Sequence, residues 1–154
     1  MSSKIHTIGY GNRPIQAFIQ LLKKYDIEIL IDIRTNPFSR FNPDYRIQKF
    51  EVHLINNEVR YLFLGKELGG KPADLSCYSD GNVDYKKIVS KQFFIDGIDQ
   101  ILALTSAGFR VALMCAELSP ADCHRKILVG DYLESRGFVV THIDRNGGIL
   151  STLF

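Results

Sequence analysis

Eleven consecutive residues, CAELSPADCHR at 115–125, bring together two cysteines, a histidine, an arginine and two carboxylates directly after the apolar run VALM. A thiol near a helix N-terminus and beside basic groups has its thiolate favoured, so Cys123, with His124 and Arg125 next to it, is a candidate nucleophile. Adjacent helical residues point about 100° apart, however, so Cys123 and His124 are not paired merely by being neighbours. The plain alternative is a buried, inert cysteine. A metal site would draw on Cys115, Cys123, His124 and His142, but C-x7-C-H is not a usual zinc spacing, and neither C-x-x-C nor H-E-x-x-H occurs. We therefore expect no metal and no cofactor. Cys77 lies in a stretch that offers it no role.

A second set of residues suits an anion. Arg13, Arg34 and Arg125 could converge from three loops, and a guanidinium fork grips phosphate or carboxylate with two parallel hydrogen bonds. Asn12 and the glycine turn around Gly9 would position the ligand, and Asp32 or Glu117 could move protons. Internal pairing is the competing reading, with Arg34 neutralised by Asp32 or Glu117, and Arg125 by Asp122 or Asp144. The segment GYGNR resembles a phosphate-cradling turn but lacks both the dinucleotide fingerprint and a Walker lysine. Tyr10, Phe38, Phe41 and Tyr45 interleave with Arg13, Arg34, Arg40 and Arg46, a mixture that can stack exposed bases or simply fold over a cleft.

The elements that must position these residues alternate. KIHTIGY (4–10) reads as a strand, and PIQAFIQLLKK (14–24) places Ile15, Phe18, Ile19 and Leu22 on one helical face. IEILIDIRT (27–35) is the near-continuous apolar run of a strand buried on both faces of a parallel sheet. A helix follows with Asn42 as N-cap and Pro43 in its first turn, and VRYLFLG (59–65) is a third strand. Residues 65–82 read as a long glycine-rich loop, and 83–107 as helix broken near Gly97 and closed by Gly108. RVALMCAE (110–117) is a fourth strand, a helix runs from Ser119 to about Arg136, and FVVTHID (138–144) is a fifth strand. The alternation predicts one α/β domain over 1–154, a three-layer sandwich with a mainly parallel sheet of about five strands and helices on both faces.

In such sheets ligands bind beyond the carboxyl ends of the strands. Every strand exit here carries reactive or charged groups, from Asn12 and Arg13 to His142 and Asp144, whereas the opposite ends are plainer. The ordered motifs TIGYGNR, DIR, LGG and CAE followed by CHR, over nearly the whole chain, resemble the prokaryotic family named domain of unknown function 488, with Gly11 where the family pattern has serine. The resemblance carries over Gly9, Asn12, Arg13, Asp32, Arg34, Gly69, Gly70, Cys115, Glu117, Cys123, His124 and Arg125 as site candidates and implies no particular reaction.

With 154 residues, 45% hydrophobic and 23% charged, the chain can bury a substantial core, and a net charge of +2 marks no extended nucleic-acid or membrane surface. No apolar run approaches a membrane span, the N-terminus lacks signal-peptide character, and three cysteines at irregular spacing suit reduced thiols, so a cytoplasmic protein is expected. The function expected is an enzyme acting on a phosphate-bearing small molecule or nucleic acid. The alternatives are a nucleotide or nucleic-acid sensing module without turnover, and a metal- or thiol-dependent enzyme.

Overall fold

A computed structural model describes residues 4–118 and 125–149. Its strands are β1 (Ile5–Gly9), β2 (Ile29–Asp32), β3 (Arg60–Phe63), β4 (Tyr78–Ser79), β5 (Asn82–Val83), β6 (Val111–Cys115) and β7 (Val140–His142). Five of them form one parallel sheet in the order β3-β2-β6-β1-β7, while β4 and β5 make a small antiparallel hairpin. The helices are α1 (Ile15–Lys24), α2 (Ile47–Asn56), α3 (Gly65–Leu68), α4 (Tyr85–Ile88), α5 (Gln92–Ser106) and α6 (Asp131–Ser135).

The two-residue period of the strands divides the core into two. Ile29, Ile31, Val111 and Leu113 face a layer containing Leu68, Ile88, Phe94, Ile98, Ile101 and Leu133 from α3 to α6. Leu30, Ala112 and Met114 face the opposite layer, where α1 and α2 contribute Phe18, Leu22, Phe50 and Leu54. All of these side chains are buried, Ile29 alone keeping 3% exposure, which stabilises the fold by about 1.5–3 kcal/mol per large apolar group. The result is the three-layer α/β sandwich, with all five main-sheet strands parallel.

The order of the strands fixes where a crevice opens. Through α1 and α2 the chain moves outward from β1 to β2 and β3, then returns through α3, α4 and α5 to β6 and crosses to β7. Because crossovers share one hand, this reversal sends the later helices to the opposite face. The carboxyl end of β6 therefore sits between β1 and β2, whose chains leave toward the other layer, and a gap forms above it.

Several local features differ from the sequence expectation. The helical region after residue 83 breaks at 89–91, between α4 and α5, rather than at Gly97. Gly97 stays inside α5 because a Cβ there would come within 2.8 Å of the Glu67 and Leu68 side chains, so its bareness lets α3 and α5 approach closely. Asn42 caps a single 3₁₀ turn, Pro43–Tyr45, accepting from the Asp44 amide at 3.3 Å, and α2 begins only at Ile47. The stretch 65–82 is not one loop: it holds α3, a 3₁₀ turn at Leu75–Cys77, β4 and the start of β5. Arg125–Gly130 is π-helical and leads into α6, while the expected cap Ser119 lies outside the described residues. No described helix is long and apolar enough to cross a membrane.

Candidate functional site

Asp32 and Arg34 share one face at the exit of β2, as the period of two requires, and they form a fork-to-fork pair. Arg34 Nε donates to Asp32 Oδ1 at 2.9 Å and Nη2 donates to Oδ2 at 2.8 Å. The Arg34 amide also donates to Oδ1 at 3.1 Å, and the Tyr61 hydroxyl donates to Oδ2 at 2.7 Å. Burial first, then the Asp32 charge, hold the Tyr61 phenol well above its ordinary pKa, so it stays a donor. Arg34 Nη1 donates to the Tyr45 carbonyl at 2.7 Å, and its guanidinium lies 5.3 Å from the Tyr10 ring centroid. Burial works against the Arg34 charge, but the hydrogen bonds and charge of Asp32, followed by those of Tyr10, outweigh it and raise the pKa further. Asp32 is thus fully buried beneath Arg34, with both oxygens engaged.

Above this pair lies a cleft of about 590 Å³ whose walls include Tyr10, Arg34, Lys71, Tyr85, Cys115 and Glu117. Its floor depends on the glycine-rich segment after β3. A Cβ on Gly65 would meet the Arg34 carbonyl oxygen at 2.0 Å, and one on Gly69 would meet the Thr35 Oγ1 at 2.4 Å. The Lys71 amide donates to that same Thr35 Oγ1 at 3.0 Å, fixing the lysine at the rim. Gly70 lines the cleft directly. Lys71, Thr35 and Tyr85 were not legible as site residues, because 65–82 has no periodicity and Tyr85 reads as part of a helix. The one available signal was the lysine directly after LGG.

A second compartment of about 510 Å³ adjoins the first and shares Tyr10, Phe38 and Ala116 with it. Asn12, Arg40 and Phe41 line only this second space. Gly11 makes the turn between them possible: its φ is +47°, and a Cβ there would come within 2.1 Å of the Leu118 side chain.

The remaining candidates divide. Arg13 does not line either compartment; its Nε donates to the Gly9 carbonyl at 3.0 Å and its Nη2 to the Asp144 carbonyl at 2.7 Å. The expected convergence of Arg13 with Arg34 is therefore replaced by a brace between β1 and the turn after β7. Gly9 itself is buried in β1. Asp32 and Glu117 do not face each other as an acid/base pair: Asp32 is sealed under Arg34, while Glu117 is exposed on the cleft wall. His142 is buried, with Nδ1 2.6 Å from Thr7 Oγ1 and Nε2 3.4 Å from Glu134, a structural histidine. Cys123 and His124 lie outside the described residues, as does the side chain of Arg125.

Of the two described cysteines, one departs from the expectation of reduced thiols. Cys115 is disulfide-bonded, and its sulfur sits 3.8 Å from the Glu117 carbonyl. Cys77 is free and buried, and burial pushes its thiol pKa up, which suits a core residue. Among the described residues no three histidine, cysteine or carboxylate side chains are grouped so as to hold a metal ion.

Comparison with curated proteins and with solved structures returned no significant match. A family profile does match, over residues 14–133, a span that contains DIR, LGG and CAE and begins just after TIGYGNR. With that span covering most of the sandwich, the chain belongs to the family described as Domain of unknown function DUF488.

Proposed function

We propose that the cleft above β6 binds a phosphate-bearing substrate, a nucleotide or a nucleic-acid end, and that the protein is an enzyme acting on it. The observation that supports this most is the state of Arg34. Asp32, Tyr61 and the Tyr45 carbonyl hold its guanidinium rigid and charged at the cleft wall, beside the Tyr10 ring. A pre-oriented fork loses little entropy when it grips an anion. Lys71 supplies a second positive charge at the rim, and Tyr10 and Tyr85 supply flat or hydroxyl-bearing walls. In this reading Asp32 positions Arg34, and Glu117 is the proton-moving group. We place this activity in the cytoplasm, where the Cys115 disulfide would be reduced or transient.

One observation favours a sensing module that binds without turnover. With Asp32 sealed and Cys115 bonded, Glu117 is the only carboxylate among the described residues lining the cleft.

Titration calorimetry against inorganic phosphate and a nucleotide panel tests the reading. Lys71→Ala is expected to weaken phosphate binding about tenfold, the scale of one charge-assisted hydrogen bond. Glu117→Gln is expected to preserve binding and remove turnover. Full phosphate affinity in Lys71→Ala, or no binding of any phosphate-bearing ligand by the native chain, would discard the proposal.

A further inference from the structure

We propose that the second compartment receives the next nucleotide of a single strand, so that the ligand is the phosphate-bearing end of a single-stranded nucleic acid rather than a free mononucleotide. This rests on the reading that the first compartment holds a phosphate. Three observations carry it.

The two spaces adjoin, with Tyr10, Phe38 and Ala116 lining both, and each is of a size that accepts a small-molecule unit. An extended ligand lying across the shared residues can therefore reach both.

Their chemistry differs in the way a nucleotide chain needs. Arg34 and Lys71 are in the first space, whereas the second offers Phe38, Phe41, Arg40 and the exposed Asn12, whose amide has no hydrogen bond to another described residue. Aromatic faces flanked by arginine are the sequence-tolerant means of holding bases. Arg46 lies 4.4 Å from the Phe38 ring centroid and Arg40 lies 5.4 Å from that of Phe41.

The 36–42 loop also turns its phenylalanines the wrong way for a cover. Tyr45, immediately after it, is wholly buried against Tyr10 and Phe18, but Phe38 is 50% and Phe41 89% exposed. Folding gains little from either ring in that position, so their outward placement is explained by something that comes to rest on them. Charge selects the partner: with Arg34 offset by Asp32 beneath it, Lys71 and Arg40 outnumber Glu117 among the described residues of the two walls. A strand with few phosphates and stacked bases fits that modest excess better than a duplex does.

Fluorescence anisotropy with the full chain tests this, using a short labelled single strand bearing a 5′-phosphate, its duplex, and the matching mononucleotide as competitor. The single strand is expected to bind about tenfold or more tighter than the mononucleotide, with a shallow logarithmic salt slope of about −1 to −2. Phe41→Ala and Arg40→Ala, both at exposed positions, are expected to weaken the single strand about tenfold and leave the mononucleotide unchanged. Equal affinity for strand and mononucleotide, with no effect of Phe41→Ala, overturns the inference while leaving the phosphate cleft intact. Equal affinity for duplex and single strand also overturns it. So does self-association of the chain that Phe41→Ala abolishes, which assigns the loop to a protein contact. Loss of all binding, mononucleotide and phosphate included, removes the cleft reading as well.

Discussion

Arg13 and Arg34 follow two strands that flank β6 and rise to the same edge of one sheet, yet they meet opposite surroundings. Above β1 and β7 the chain's own carbonyls, those of Gly9 and Asp144, close over the Arg13 guanidinium. At the β2 exit a carboxylate lies beneath Arg34 and a cleft opens above it. Residue type and sheet edge are thus equal, and the placement of acceptors decides which arginine braces and which can receive a ligand. Arg13 is held by main-chain oxygens away from both compartments and braces the fold. Arg34, seated on a buried carboxylate, is oriented by that carboxylate at the wall of the cleft.

The largest effect expected from this contrast is at the buried pair. Asp32→Ala leaves the Arg34 charge 5% exposed with no carboxylate against it, and breaking a buried pair in this way costs about 3–5 kcal/mol. At roughly 2–4 °C per kcal/mol for a domain of this size, the melting midpoint should fall by about 6–20 °C. Equilibrium urea denaturation measures the free-energy loss, and a thermal melt measures the midpoint. A loss under about 1 kcal/mol would mean that the pair does not hold Arg34, and the distinction from Arg13 would lose its physical basis.

A second effect belongs to the β1 region alone. His6 is 3% exposed, faces the Tyr25 ring at 5.7 Å, and has a pKa lowered from 6.5 to about 4, first by burial and then by the charge of Arg110. The folded chain keeps it neutral while the unfolded chain binds a proton below pH 6.5, so stability falls as pH drops from 6.5 toward 4. The group accounts for about 3 kcal/mol over that window and for nothing above it. Urea denaturation at pH 7 and at pH 4 gives the difference, and His6→Phe should flatten it. An unchanged acid slope in that variant would move the sensitivity elsewhere.

How much of this was visible in the sequence follows from the range of the forces involved. The β2 run ILID and the α1 face Ile15, Phe18, Ile19, Leu22 are local patterns, and burial realises them directly. The asymmetry between sheet edges was also visible, because charge at strand exits is a sequence property once the strands are placed. The division of labour between Arg13 and Arg34 was not. It depends on Asp144, which lies 131 positions from Arg13, and on the reversal of strand order that brings β7 beside β1. Lys71 and Tyr85 were hidden for a similar reason: Thr35, 36 positions before Lys71, supplies the oxygen that fixes the rim. The break between α4 and α5 was misread at Gly97 because a glycine that ends a helix and a glycine that lets two helices touch are the same letter. What separates them is the neighbour Leu68.

The smallest of the three effects concerns Arg13, and it separates bracing from binding most cleanly. Arg13→Ala deletes two donors to carbonyls in a partly buried setting, which should cost about 1–3 kcal/mol, less than the loss at Asp32. Burial already lowers the Arg13 pKa, so part of the charge's desolvation cost is recovered on removal and the net loss should sit in the lower half of that range. The damage should be local. The Ile143 amide, which donates to the Thr7 carbonyl at 2.9 Å, lies beside the released Asp144 turn and should exchange faster with solvent. Phosphate binding at the cleft should stay within a factor of about two, since Arg13 lines neither compartment. If binding is lost instead while stability and the Ile143 exchange rate hold, the guanidinium faces the ligand rather than the carbonyls, and both arginines belong to one anion site as the spacing of the sequence first suggested.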